Sequence, residues 1–121
     1  MSKIRIRNAK RKFTVERDKN GVPHVNAPSW LDALYGLGYV HATDRGTQIL
    51  FARAVASGRG AEQIADQPEL VETDRFFRRV GLHLNLQPEV DALDDKTFGQ
   101  LTSYCSGVNA GLNASRRSLP M

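Results

Sequence analysis

The chain has 121 residues, 40% of them apolar, and a net charge of +4. This length suits one domain of ordinary size. The single cysteine, Cys105, excludes a disulfide within the chain and fits a reducing compartment. No run approaches the roughly 18 apolar residues that cross a membrane, so no membrane partner is expected. The first residues lack a signal-peptide core, which predicts a cytoplasmic chain as written, or a periplasmic one if a signal peptide has been removed.

The positive charge is concentrated at the N-terminus. Residues 1–19 carry eight Lys or Arg and two acidic residues, whereas the rest carries nine basic and eleven acidic residues. A basic arm over residues 1–12 could bind nucleic acid in a salt-dependent manner. No aromatic platform or recognition motif accompanies the charge, so we favour a solvated terminus and expect no nucleic-acid partner.

The first elements are predicted to be β-strands. Residues 3–7 alternate Lys or Arg with Ile, which indicates either a short strand or a tail. Residues 13–26 predict a β-hairpin, because two short strand patterns flank the turn sequence at 18–21. Pro23 cannot donate to a strand ladder, so it must lie at an edge or an end.

A long helix is predicted at about 29–57. Ser29 and Asp32 resemble a capping box with Asp in place of Glu. Apolar residues cover nearly every side of this helix, a pattern typical of a buried helix. One stripe consists of Leu31, Leu34, Tyr35, Gly38, Ala42, Ile49, Ala52 and Ala56. Burial on all sides would require more protein than this chain obviously supplies.

Three further helices are predicted at about 61–66, 69–82 and 93–114. In the second, Leu70, Phe77, Val80 and Gly81 are predicted to face inward, with Arg78 and Arg79 outward. Residues 85–88 are predicted to be a break, and Asp94 or Asp95 to cap the last helix. The apolar stripe of the last helix contains Phe98, Leu101, Tyr104, Cys105, Val108 and Leu112. The fold class predicted from these elements is mostly α with an N-terminal β-hairpin.

The sequence offers little for catalysis or metal binding. The histidines His24, His41 and His83 form no metal-binding motif, so a metal site is not expected. His24 is predicted to be a hydrogen-bonded strand residue, and His41 a member of a buried network. Cys105 is predicted to be a small core residue. No nucleophile elbow and no phosphate-binding loop is present.

Asp44, Arg45 and Gln48 form the remaining polar group on the long helix. A catalytic carboxylate activated by an arginine is one interpretation. We favour a structural ion pair that fixes helix packing, because Asp74 and Arg75 offer further partners of the same kind.

Several segments in order resemble the N-terminal part of the α chain of the penicillin acylase (penicillin amidase) family. The matching segments are VERDKNGVPHVNA, DALYGLGYVHATDRGTQ, ASGRGAEQ, DRFFRRVG and YCSGVNAGLNA, followed by a closing LP. The resemblance covers about residues 13–120. It implies an N-terminal-nucleophile hydrolase with an αββα sandwich, cleaved from one precursor into α and β chains. It also implies amide substrates with an acyl side chain, including penicillins, cephalosporins and acyl-homoserine lactones.

The resemblance assigns no catalytic, cofactor-binding or metal-binding residue to this chain. The serine nucleophile would start the β chain, with its own α-amine as base, and calcium in the full enzyme would be bound elsewhere. The expected partners are the remainder of the α chain, the β chain and a small N-acyl amide substrate, and self-association is possible. The residues that match family motifs are Arg17, Asp18, Gly21, Pro23, His24, Gly38, Asp44, Arg45, Gln48, Gly58, Glu62, Tyr104, Gly107, Val108 and Asn109.

The sequence departs from the family pattern at two places. Residues 46–47 are Gly-Thr where the family usually has a bulky apolar pair, and residues 65–66 are Ala-Asp where a glycine is usual. The leading hypothesis is a segment of an amide hydrolase, inactive alone, over residues 13–121. The alternative is a non-catalytic truncated or remnant domain that folds or oligomerises without hydrolase activity.

Overall fold

The computed structural model describes residues 4–8 and 11–118. The chain divides into two compact units, one formed by residues up to Gly46 and from Asp94 onward, the other by Thr47–Leu93. The long helix α1, Trp30–Ala56, contributes to both units, and its backbone leaves helical geometry at Arg45 (φ −132°, ψ 24°). The mostly α fold class with an N-terminal hairpin is confirmed.

An antiparallel sheet of three strands opens the first unit. Its strands are β1 (Ile4–Asn8), β2 (Arg11–Arg17) and β3 (Pro23–Asn26), in the order β1-β2-β3. The register pairs Ile6 with Phe13 and Val15 with Val25. The hairpin predicted over 13–26 is therefore present, and β1 extends the sheet into the predicted basic arm. Residues 1–3 and 9–10 of that arm lie outside the described residues.

The turn between β2 and β3 is closed by the side chain of Asp18. Asp18 Oδ1 accepts hydrogen bonds from the backbone N–H of Asn20 at 2.8 Å and of Val22 at 3.0 Å. The bonds from Val22 and Asn20 lower the pKa of Asp18. Gly21 has φ +80°, which glycine adopts without strain. Pro23 begins the edge strand β3, as predicted, where its missing N–H costs nothing.

The N-terminal part of α1 packs against α5, Asp95–Ser118, through glycines. A Cβ on Gly107 would overlap the carbonyl oxygen of Tyr35, and one on Gly38 would overlap that of Tyr104. The buried Ser103 hydroxyl donates to the Leu31 carbonyl at 2.6 Å. The two helices therefore touch backbone to backbone, a contact that larger residues would prevent.

The core of the first unit lies between this helix pair and the sheet. Its buried members are Phe13, Val15, Tyr35 and Val40. The Phe13 ring lies 5.8 Å from the Tyr35 ring and 5.6 Å from the Tyr39 ring, measured between centroids. Burial raises the pKa of Tyr39, because the phenolate would lose its hydration.

Both predicted N-caps of the long helices are present. The Asp32 backbone N–H donates to Ser29 Oγ at 3.1 Å, and the Ser29 hydroxyl donates to the Asp32 carboxylate at 2.8 Å. Of the two candidates for α5, Asp94 is the cap, since its Oδ1 accepts the Thr97 N–H at 2.6 Å. The helices α1 and α5 therefore begin within one or two residues of their predicted starts.

The second unit contains the end of α1, the short helices α2 (Gly60–Gln63) and α4 (Leu86–Asp91), and α3 (Pro68–Val80). The helix predicted at 61–66 is shorter in the structure, where α2 spans Gly60–Gln63. The helix predicted over 69–82 ends before Gly81, which is its C-cap with φ +71° rather than an inward-facing residue. Val80 is exposed, whereas Leu70 and Phe77 are partly buried.

The break predicted at 85–88 is wrong, because α4 begins there. Asn85 adopts the left-handed conformation (φ 57°) and precedes the helix. Pro88 is the third residue of α4, where the backbone N–H would have no partner within the helix. A proline at such a position is compatible with a helix start, which the sequence prediction did not allow for.

The predicted burial of large side chains is also wrong in part. On α5, Cys105, Phe98 and Leu101 are exposed, because the face toward α1 is formed by the small residues Ser103 and Gly107. On α1, Tyr35, Val40 and Ala42 are buried, but Leu37, Leu50 and Phe51 are exposed. A hydrophobic stripe does not reveal a helix contact made by small residues.

Candidate functional site

The three histidines lie in three separate environments. His24 Nε2 lies 3.3 Å from Asp18 Oδ2, so the predicted hydrogen-bonded strand residue is confirmed. His41 Nδ1 lies 2.9 Å from the Tyr104 hydroxyl, but His41 is exposed, and its predicted burial is wrong. His83 is partly buried, and its Nδ1 is a buried atom without a hydrogen-bond partner among the described residues.

The polar group on α1 forms an ion pair with the hairpin. Arg17 donates to both carboxylate oxygens of Asp44, at 2.5 and 3.0 Å, and also to the Gly21 carbonyl at 3.0 Å. The hydrogen bond to Asp44 raises the pKa of Arg17. Arg45 and Gln48 are exposed. Two hydrogen bonds to one carboxylate join helix α1 to the hairpin, so Asp44 is part of an ion pair, but its partner is Arg17 rather than Arg45.

The partners proposed for that pair from the sequence are wrong. Arg75 forms its ion pair with Glu72, three residues earlier on α3. Asp74 is 7% exposed and accepts the backbone N–H groups of Gly60 at 2.7 Å and Ala61 at 2.8 Å. Asp74 therefore caps the start of α2 from a distant position in the sequence. The pairing of Arg17 with Asp44 was missed as well, because it joins residues far apart in the sequence.

Some hydroxyl side chains lie beside a carboxylate or an imidazole: Ser29 beside Asp32 in the cap of α1, and Tyr104 beside His41. Cys105 is free and exposed, without a neighbouring histidine bonded to it. A pocket of about 500 Å³ in the first unit is lined mainly by Arg11, Tyr35 and hydroxyl or amide side chains, including Ser103 and Ser106. Its lining contains neither a histidine nor a carboxylate. A lining of this kind can position polar groups.

Nowhere in residues 4–8 and 11–118 do three or more His, Cys, Asp or Glu side chains come close enough to hold a metal ion. Calcium is bound by six to eight oxygen ligands, several of them carboxylates. The resemblance implies that the full enzyme binds calcium. No chemical step in this segment is assigned to that ion.

A groove lies in the second unit. It has a volume of about 990 Å³. Its lining combines three large apolar side chains, here called the walls (Leu50, Phe51 and Ile64), with three arginines, here called the rim (Arg53, Arg59 and Arg78), and it also includes His83. No acidic side chain lines it. We call this surface the arginine-rimmed groove.

None of the helices formed by the described residues combines the length and the hydrophobicity needed to cross a lipid bilayer. The described residues thus offer structural hydrogen bonds, a polar pocket and the arginine-rimmed groove.

The sequence matches the family described as penicillin amidase over residues 12–121. It is 34% identical over 116 residues to the acyl-homoserine lactone acylase QuiP of Pseudomonas aeruginosa, which covers 96% of this chain and 14% of that protein. It is 39% identical over 107 residues to the penicillin acylase 2 proenzyme of Pseudomonas sp. strain SE83, covering 88% of this chain and 13% of that protein. The chain therefore spans about one-seventh of the length of these relatives.

The structure is similar to that of a thermostable penicillin G acylase from Alcaligenes faecalis. The two have a TM-score of 0.77 and 33% sequence identity over 90% of this chain and 58% of that chain. The family match covers nearly all of the chain, and the relatives exceed 30% identity over most of it. On this evidence the chain belongs to the penicillin amidase family.

Proposed function

We propose that this chain is the N-terminal segment of the α chain of an amide hydrolase of the penicillin amidase family. The observation that carries the proposal is the family match over residues 12–121, combined with the small share of each relative that the chain spans.

The proposed reaction is hydrolysis of the side-chain amide of a linear or β-lactam N-acyl substrate. A serine at the N-terminus of the β chain, outside this segment, attacks the amide carbonyl while its own α-amine accepts the hydroxyl proton. The amine product leaves, and water then releases the acyl group as a carboxylic acid. The relatives named as acting on acyl-homoserine lactones and penicillins suggest this range of substrates.

The proposed contribution of this segment is to hold the hairpin and the helix pair of α1 and α5 in a fixed arrangement. The contacts that support this are the Arg17–Asp44 ion pair and the glycine-mediated backbone contacts. Its partners would be the remainder of the α chain and the β chain. Any calcium ion of the full enzyme would be held by residues outside this segment.

A segment exchange tests the proposal. The 107 residues of the penicillin acylase 2 proenzyme from Pseudomonas sp. strain SE83 that match this chain are replaced by the matching residues of this chain. The expected result is a precursor that is still cleaved into two chains and still hydrolyses the parent's amide substrate.

The controls are the unmodified proenzyme and a version from which the segment has been deleted. The deleted version should lose both cleavage and hydrolysis. A chimera that stays uncleaved and inactive while the parent matures would contradict the proposal and favour the alternative, a non-catalytic remnant domain.

A further inference from the structure

The walls of the arginine-rimmed groove are apolar but exposed. Leu50 and Phe51 are each 49% exposed and Ile64 is 41% exposed, although all three line one concave surface. Exposed apolar side chains that share a surface and are rimmed by polar groups mark interaction sites. Covering these three side chains would remove apolar area from water and stabilise a complex.

The charge on the rim limits what can cover the walls. Within the part of the chain that the structure describes, Arg59 is the one lining arginine with a carboxylate partner, Glu62, whose oxygens lie 3.2 and 3.3 Å away. Arg78 donates to the Gly58 carbonyl at 2.8 Å, and neither it nor Arg53 forms an ion pair with any described residue. Burying an unpaired guanidinium is unfavourable, so a partner that covers the walls must bring carboxylates to the rim.

The clustering of these arginines is not a consequence of a basic segment. Residues 47–93 contain five arginines, no lysine and seven Asp or Glu. Three of the five arginines line the groove, and none of the seven acidic residues does. The fold thus separates the charges within a unit that is acidic as a whole.

His83 provides an additional polar group in the same surface. Its Nδ1 is buried and has no hydrogen-bond partner among the described residues. Buried polar atoms are nearly always hydrogen-bonded in complete structures. A partner that fills the groove would supply the missing hydrogen bond.

We propose that the arginine-rimmed groove binds an acidic segment from the remainder of the same enzyme. That segment would place an apolar side chain between Leu50, Phe51 and Ile64 and a carboxylate against Arg53 and Arg78. The inference rests on the proposed function, since the relatives are about seven times longer than this chain and supply the additional polypeptide. A second copy of this chain fits less well, because it would bring the same arginines to the interface.

Photo-crosslinking in the complete enzyme identifies the occupant. Phe51 is replaced by benzoylphenylalanine, the enzyme is irradiated, and the linked peptides are identified by mass spectrometry. The expected product joins residue 51 to a peptide of the remaining enzyme that contains Asp or Glu next to apolar residues. Phe76, exposed on α3 and outside the groove, is the matched control position and should not link to that peptide. A link to a second copy of this chain, or no protein product at all, would overturn the proposal.

Charge reversal measures the contribution of the rim. Arg53→Glu should weaken the association of this chain with the separately produced remainder by at least about tenfold, and Arg53→Lys should weaken it less. Arg79→Glu, at an exposed arginine outside the groove, should have less than about a third of that effect. Failure of the unmodified chain to associate would count against the proposed function itself. Normal association of both glutamate variants would overturn only the assignment of the groove.

Discussion

At the scale of single residues, three glycines decide how closely α1 and α5 approach. Gly38, Gly107 and Gly111 each face backbone of the opposite helix, and an added Cβ would collide with a carbonyl oxygen at each position. Because backbone atoms cannot move aside as the end of a side chain can, the contact tolerates no larger residue. These glycines therefore have a structural reason to be present despite their cost in a helix interior.

Gly107→Ala should destabilise the chain by about 1–3 kcal/mol, as expected when atoms are added to a packed contact. The added methyl group would meet the carbonyl oxygen and carbon of Tyr35, so the helices would have to separate. Urea unfolding in dilute solution measures the change in free energy.

The matched control is Gly99→Ala on the same helix. No heavy atom lies within 4 Å of a Cβ added at Gly99, so alanine should stabilise α5 by about 0.5–1 kcal/mol through its higher helix propensity. Equal effects of the two substitutions would show that the close helix contact is absent in solution.

At the scale of elements, the start of α2 depends on a carboxylate from α3. Asp74→Asn leaves one acceptor oxygen for two backbone N–H groups, those of Gly60 and Ala61. We expect a loss of about 1–3 kcal/mol, because one buried donor is left unsatisfied. Amide hydrogen exchange at Gly60 and Ala61 should become faster. Asp66→Asn, at an exposed residue of the same unit, should leave both rates unchanged.

The cap of α5 makes its stability depend on pH. The N–H of Thr97 is the main cause of the lowered pKa of Asp94. Because the folded pKa lies below the unfolded value of about 3.9, the stabilisation is complete above that pH and is lost as the pH falls through the folded pKa. Asp94→Asn should therefore lower the melting temperature at neutral pH, and the difference from the unmodified chain should shrink below about pH 4.

The pH comparison has its own control. Asp18 also has a lowered pKa, so the stabilisation that it gives is lost in the same pH range. Asp94→Asn should therefore remove only part of the pH dependence of stability. Asp66→Asn, at an exposed residue outside α5, is the control for the loss of one carboxylate. If the difference in melting temperature between Asp94→Asn and the unmodified chain grew as the pH fell, it would contradict the assignment of Asp94 as the cap of α5.

The sequence predicted the presence of helices and strands accurately. It predicted less accurately which face of each helix is buried. Ser29 and Asp94 marked two helix starts correctly, because caps are local and depend on a few adjacent residues. Apolar periodicity placed Phe98 and Leu101 in the core, but the helix contact is made by Gly107 and Ser103. The sequence pattern shows which side chains are apolar and cannot show what protein lies opposite them.

The candidate sites show the same limitation. The sequence marked His24 and Asp44 as structural, and both form side-chain hydrogen bonds, whereas Arg45 and Gln48 are exposed. It could not identify Arg17 as the partner of Asp44 or Asp74 as the cap of α2, because those contacts join distant positions. The arginine-rimmed groove has no sequence motif, since its arginines come from separate elements.

At the scale of the whole molecule, much apolar surface is left exposed. Among the described residues, thirteen large apolar side chains are exposed, whereas six apolar residues are buried. The chain alone should therefore self-associate in a concentration-dependent manner. Light scattering over a range of concentrations measures this association. A monodisperse monomer at every concentration would contradict the interpretation of this surface as an interface.

The most direct test of the account is complementation of amide hydrolysis. Three samples are compared on an N-acyl amide substrate: this chain alone, the remainder of the enzyme alone, and the two produced together. We expect the first two samples to be inactive and the third to release the carboxylic acid and the amine. Hydrolysis by this chain alone, or full activity of the remainder without it, would contradict the claim that it is an essential, non-catalytic segment of a penicillin amidase-family enzyme.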